Sequence, residues 1–158
     1  MAHDIFIKID GISGESQDES HRGEIQVHSW RWKMSQPSSM MSGSGGGAGK
    51  AMVNDLEFVH QIDRASPNLM RYCLTGRHVP KVVLSTRKAG GIPMDFLTIT
   101  MGDVVITGVE PIVAGDSYYE HVTLSFSRVK NEYALQSSMG GSAGTVTASF
   151  DIKENIER

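Results

Sequence analysis

The chain has one cysteine, Cys73, in 158 residues. That excludes an intramolecular disulfide framework and fits a reducing compartment. Long apolar runs are missing as well. None approaches the ~20 residues that cross a bilayer, so membrane insertion is not expected. The opening Met1-Ala2-His3-Asp4 has neither the basic region nor the apolar stretch of a cleaved signal, so any export is expected to proceed without one. Charge of one sign is scarce. A formal net charge of -3 provides no basic field able to track a phosphate backbone, and nucleic acid is not an expected partner. The histidines, at 3, 21, 28, 60, 78 and 121, show no pair at metal-ligand spacing; they are expected at or near the surface, and no metal or other cofactor is expected.

What the chain does have is 39% hydrophobic content, enough for one core and one domain over residues 1–158, and 17 glycines. Many of the glycines fall in Ser35–Lys50, S-Q-P-S-S-M-M-S-G-S-G-G-G-A-G-K, between two strand-like runs. This segment exceeds the ~12–15 residues beyond which a structureless loop is usually functional or disordered. Its glycines open backbone conformations that other residues avoid, and Met40 and Met41 offer adaptable apolar contacts. It reads either as a loop that docks outside its own domain or as a loose hairpin connection.

Elsewhere the pattern is mostly period two. Ile5, Ile7 and Ile9 share a face of an opening strand, broken by Asp10-Gly11 and Ser13-Gly14. Between Glu24 and Met34 the apolar parity switches from Ile25 and Val27 to Trp30, Trp32 and Met34, which predicts a bulge or face change near His28-Ser29. With the tryptophans inward, Ser29, Arg31 and Lys33 face outward as a basic stripe. Met52, Leu56 and Phe58 share the parity of a further strand. Ser66-Pro67 reads as N-cap and first turn of a short helix with Leu69, Met70, Cys73 and Leu74 on one face, closed by Gly76. Strands follow at 81–88, 94–101 and 104–109, the first two joined by Ala89–Pro93, then at Val122–Phe126 and Val146–Ile152. About seven or eight strands with one flanking helix and one long extended loop imply a mainly β fold, an antiparallel barrel or sandwich of two sheets.

Motifs for chemistry fail on inspection. Gly140–Gly144 spells G-x-S-x-G, but a strand pattern follows Ser142 where a nucleophile elbow needs a helix. Ser44–Lys50 resembles a phosphate loop, yet Ser44 replaces the first glycine, Ala51 replaces the magnesium-binding hydroxyl, and no helix follows. Asp103, Glu110, Asp116 and Glu120 sit near turns, where carboxylates are usually solvated. The chain is therefore not expected to be an enzyme.

A set of short motifs is similar to the haemolysin-coregulated protein (Hcp) family, the inner-tube component of bacterial type VI secretion. They are D-I-F-I-K-I-D-G-I-x-G-E-S from Asp4, H-x-x-E-I from His21, W-x-W at Trp30, the S-Q opening and G-G-G-A-G-K ending of the loop, D-L-x-F from Asp55, S-P-N-L from Ser66, G-x-H-x-P from Gly76, R-K-A-G-G from Arg87 and V-T-L-x-F from Val122. The resemblance departs at Asp116–Tyr119 and Gln136–Gly144. It implies six-membered rings stacked into a hollow tube inside a contractile sheath on a baseplate, with a spike protein of the VgrG type at the tip. It also implies effector proteins carried in the lumen and expelled with the tube to the extracellular space or a target cell, and no catalytic residues. A phage-type tail-tube protein would share the ring, the strand count and the long docking loop, and a small-ligand carrier barrel would instead need inward polar groups at its cavity. On this reading Gln36, Ser38, Ser39, Met40, Met41, Gly43, Gly45, Gly47 and Lys50 reach onto the neighbouring ring, and Ser29, Arg31 and Lys33 face the lumen or, alternatively, the outer surface.

Overall fold

Alternating side chains make this chain a sequence of strands, and two long ones set its shape. The computed structural model describes residues 3–38, 50–88, 94–137 and 142–158. The elements are β1 (His3–Ile9), β2 (Ile25–Val27), β3 (Ser29–Arg31), β4 (Met34–Ser35), β5 (Met52–Val53), β6 (Leu56–Gln61), α1 (Ser66–Thr75), β7 (His78–Lys88), β8 (Asp95–Ala114), β9 (Ser117–Gln136), β10 (Ser142–Asp151) and β11 (Ile156–Glu157). Every pairing is antiparallel. One sheet runs β11-β10-β9-β8-β7-β1-β2, with β6 on β9 and β3 on β6, and β4–β5 form a separate two-stranded ribbon.

β9 joins the layers. One of its edges carries β8 from Leu97–Tyr133 to Ala114–Ser117. The other carries β10 along residues 128–136 and β6 along 119–124. The runs expected at 94–101 and 104–109 are thus one strand, bent at Gly102-Asp103, where Asp103 takes φ 53. A non-glycine residue at positive φ needs compensation. Here the Asp103 carboxylate accepts from the Ser127 hydroxyl at 2.9 Å and lies 2.8 Å from His78 Nδ1. Gly115, φ 60, starts the two-residue turn between β8 and β9, the position where such hairpins most need glycine.

The core holds Ile7, Ile9, Ile25, Leu56, Phe58, Val82, Leu84, Ile99, Met101, Val104, Ile106, Val122 and Leu124. Each large apolar side chain buried this way contributes ~1.5–3 kcal/mol. The face change at His28 is present: β2 pairs with β1 while β3 pairs with β6, and His28 N donates to Val59 O at 2.7 Å.

Three sequence expectations need correction. Ser66 is not the N-cap of α1: Ala65 holds that place, while the Asp63 carboxylate accepts from Ala65 N and Ser66 Oγ accepts from Asp63 N, so a local turn replaces the side-chain cap. The buried face of α1 is Ser66, Leu69 and Tyr72, with Cys73 half-buried, whereas Met70 and Leu74 are exposed. Met34, Met52 and Val146 are exposed too, because β4–β5 leave the sheet and the N-terminal half of β10 runs past the core.

Candidate assembly surface

The long segment begins on a built stem. Met34 pairs with Val53 and Ser35 with Met52, and Asn54 N donates to Lys33 O at 3.0 Å. Trp32 anchors the stem: its ring meets Phe126 edge-on at 5.6 Å, and its indole N–H donates to Asn54 O at 2.9 Å. Gln36, Ser38 and Lys50 are exposed just beyond. Ser39, Met40, Met41, Gly43, Gly45 and Gly47 lie outside the described residues. The structure adds Met34 and Met52, both exposed, on opposite faces of the stem.

Ser29, Arg31 and Lys33 point outward as their parity requires. They are not a simple basic stripe. Arg31 Nε donates to Glu57 at 2.9 Å from the neighbouring strand, and Asp55 and Glu57 line the same shallow cleft as Arg31 and Lys33. Sequence reading missed this because Glu57 lies across a strand pair, 26 residues away. Among the described residues Lys33 has no such partner. The surface is charged in both signs, and the hydroxyls of Thr107 and Thr123 continue it, with Thr107 donating to Asp55 at 2.6 Å.

The largest features unseen in the sequence are apolar strand ends. Ile112, Val113 and Tyr118 are exposed at the tip of the β8–β9 hairpin, and Tyr133, Leu135 and Val146 at the opposite end of β9 and on β10. The edge of Thr107–Ala114 that faces away from β9 and the outer side of β3 have no pairing strand among the described residues. Behind the hairpin, His60 is buried on β6 with its Nε2 2.9 Å from Glu120 on β9 and its Nδ1 3.8 Å from Asp63. Burial alone would push the imidazole down. Asp63 and Glu120 outweigh it and hold His60 up at about 9. Surface histidine and solvated carboxylate were both the wrong expectation here; register places one opposite the other.

Ser142 opens β10, so a strand follows it where a nucleophile elbow needs a helix; Gly140 and Gly141 lie outside the described residues. Among the described residues no group of three or more His, Cys, Asp or Glu is placed to hold a metal ion. The fold and this surface define an antiparallel β protein that presents bare edges and apolar strand ends.

Residues 6–133 match the family described as "Type VI secretion system effector, Hcp". Protein hcp1 of Pseudomonas aeruginosa is 43% identical over 161 aligned residues, covering 99% of this chain and 99% of that protein. Hcp1 from Salmonella typhimurium superposes with a TM-score of 0.84 at 47% identity, covering 100% of each chain. A type VI secretion system effector from Yersinia pestis gives 0.77 at 40% identity over 94% of this chain and 99% of that one. The chain belongs to the Hcp family of the bacterial type VI secretion system.

Proposed function

We propose that this chain is the subunit of a secretion tube, in which six copies close into a ring and rings stack into a hollow cylinder. One observation carries the reading: apolar strand ends stand at both extremes of the same long hairpin, and bare edges run along β3 and Thr107–Ala114. Apolar surface of this kind is rare on a monomer unless a partner covers it. Because the two ends differ, copies meet head to tail, and head-to-tail contacts that close give rings. Edge strands β3 and Thr107–Ala114 would meet between neighbours, removing the edges that otherwise invite aggregation.

Stacking falls to the loop on the β4–β5 stem, with Met34, Met52, Met40 and Met41 as its apolar contacts. Ordering such a glycine-rich segment costs entropy, so ring–ring contacts are weak and reversible, as a tube that must come apart requires. The mixed-charge face around Ser29, Arg31, Glu57 and Lys33 lines the channel, and cyclic symmetry repeats it around the wall so that weak contacts add on an effector inside. Spike, sheath and baseplate proteins cap, enclose and support the tube, which leaves the cytoplasm with its passengers. The chain performs no chemistry itself and acts as one domain.

Light scattering and negative-stain imaging of Val113→Glu test the reading. The wild type is expected as open-centred rings and the variant as folded monomers. A monomeric wild type at high concentration, or rings unaffected by a charge at the hairpin tip, would overturn it.

A further inference from the structure

The face of β7, β8, β9 and β10 that points away from the core carries a second surface, separate from the strand ends. Register sets Lys81, Gly102, Arg128 and Asp151 in one row across four strands, with Val83, Thr100, Lys130 and Ser149 in the next. Gly102 makes the low point. A Cβ there would sit 2.9 Å from Arg128 Nη2, so the missing side chain is what lets the guanidinium lie flat across β8. The result is a groove of about 340 Å³ lined by Lys81, Arg128, Lys130 and Arg158, with Asp151 as its one carboxylate.

We propose that this groove docks a carboxylate-rich segment of a partner protein. The charges are unbalanced in a way that calls for one. Asp151 is buried and already occupied, accepting from Glu154 N at 2.8 Å with Arg158 Nε at 3.8 Å. Lys130 reaches Glu132 at 3.6 Å. Among the described residues Lys81 and Arg128 form no salt bridge, although Arg128 acts on Asp103 through space. Both are exposed, so their charge is held out to solvent on a chain whose net charge is negative.

Shape favours a protein segment over a small anion. The cations are spread over β7, β9 and the residue after β11; Lys81 and Arg128, two strands apart, are ~10 Å from each other at the backbone. That span suits carboxylates spaced along an extended or helical chain, and no buried donor set encloses a single phosphate. Thr100 and Ser149 supply hydroxyls in the adjacent row. Complementary charge of this sort governs encounter rate and salt dependence more than packing does.

The experiment measures fluorescence anisotropy of a labelled decapeptide of alternating Glu and Ala with the full chain, at about 50 mM and about 300 mM salt, above and below a ten-ångström screening length. Wild type is expected to bind, and to release the peptide as salt rises. Lys81→Gln with Arg128→Gln is expected to weaken binding about tenfold, the effect of two exposed charge contacts. Arg64→Gln with Arg71→Gln on the helix side is expected to change nothing, and circular dichroism checks that both variants fold. No binding at low salt, equal loss in both variants, or displacement of the peptide by micromolar inorganic phosphate would overturn the proposal. So would loss of self-association in the groove variant with peptide binding intact, since a second copy would then be the occupant. Ring formation is read separately by light scattering, so either reading can fail alone.

Discussion

At the scale of single residues, His60 and Gly14 show how the interior is tuned. His60 is held at about 9, above its ordinary 6.5, by Asp63 and Glu120 against the opposing effect of burial. A group raised on folding contributes stability that is complete below its unfolded value and disappears as pH climbs through the folded one. The shift corresponds to about 3 kcal/mol, lost between roughly pH 6.5 and 9. Urea midpoints across that range are expected to fall for the wild type and to fall less steeply for Glu120→Gln, which starts less stable and keeps Asp63; parallel curves would remove the His60–Glu120 pair from the account. Gly14 is needed for close approach: a Cβ would lie 2.5 Å from Glu24 O and 2.7 Å from Ile25 Cα, both backbone. Gly14→Ala is expected to cost ~1–3 kcal/mol in chemical denaturation.

The same scale explains how the 10–24 connection is held without regular structure. Arg87 bridges Asp18 at 2.6 Å and Asp4 at 3.1 Å while its guanidinium covers Phe6, and His21 stacks on Phe6 at 4.4 Å between Glu24 and Asp95. The pairing with Arg87 holds the Asp18 carboxyl below its usual range. Phe6, on the face of β1 opposite the isoleucines, is therefore buried as well, and β1 is apolar on both sides because a loop covers one of them.

At the scale of elements, α1 and β10 depart furthest from their patterns. Leu69 is fully buried while Leu74 is exposed, so Leu69→Ala is expected to cost ~2–5 kcal/mol and Leu74→Ala less than ~0.5 kcal/mol, as urea denaturation would show. Periodicity over so short a helix admits two adjacent apolar stripes. Contact with the sheet chose the one ending in Tyr72, whose ring also lies under Arg77. Along β10 and just past its end the alternation of Val146, Ala148, Phe150 and Ile152 continues unbroken, yet of the four only Ile152 packs against the core. An apolar face without a core behind it is legible in the sequence as a strand face; what it packs against is not.

At the scale of the whole molecule, the proposed tube assigns ring closure to the strand ends and stacking to the loop. Deleting Ser39–Gly47 leaves the β4–β5 stem and the hairpin tip in place, so rings are expected to persist while long tubes disappear from negative-stain fields. Arg31→Gln with Glu57→Gln, which removes the pair without leaving a buried charge, is expected to reduce co-purification of effectors and to spare the ring. Retention at wild-type levels would move the passenger-binding face elsewhere.

Taken by itself, the order of residues determined the strand-rich class, the outward direction of Ser29, Arg31 and Lys33, the face change at His28, the left-handed close of the helix at Gly76 and the family. All but the family depend on spacing along a few neighbouring positions, where backbone geometry decides the outcome, whereas the family rests on the resemblance of motifs spread from Asp4 to Phe126. Tertiary structure alone decided that Arg31 meets Glu57, that His60 meets Glu120, that two short strands are one bent one, and that Ile112, Val113 and Tyr118 stand bare. Those are matters of register between distant strands and of where the core stops, and no local pattern encodes either.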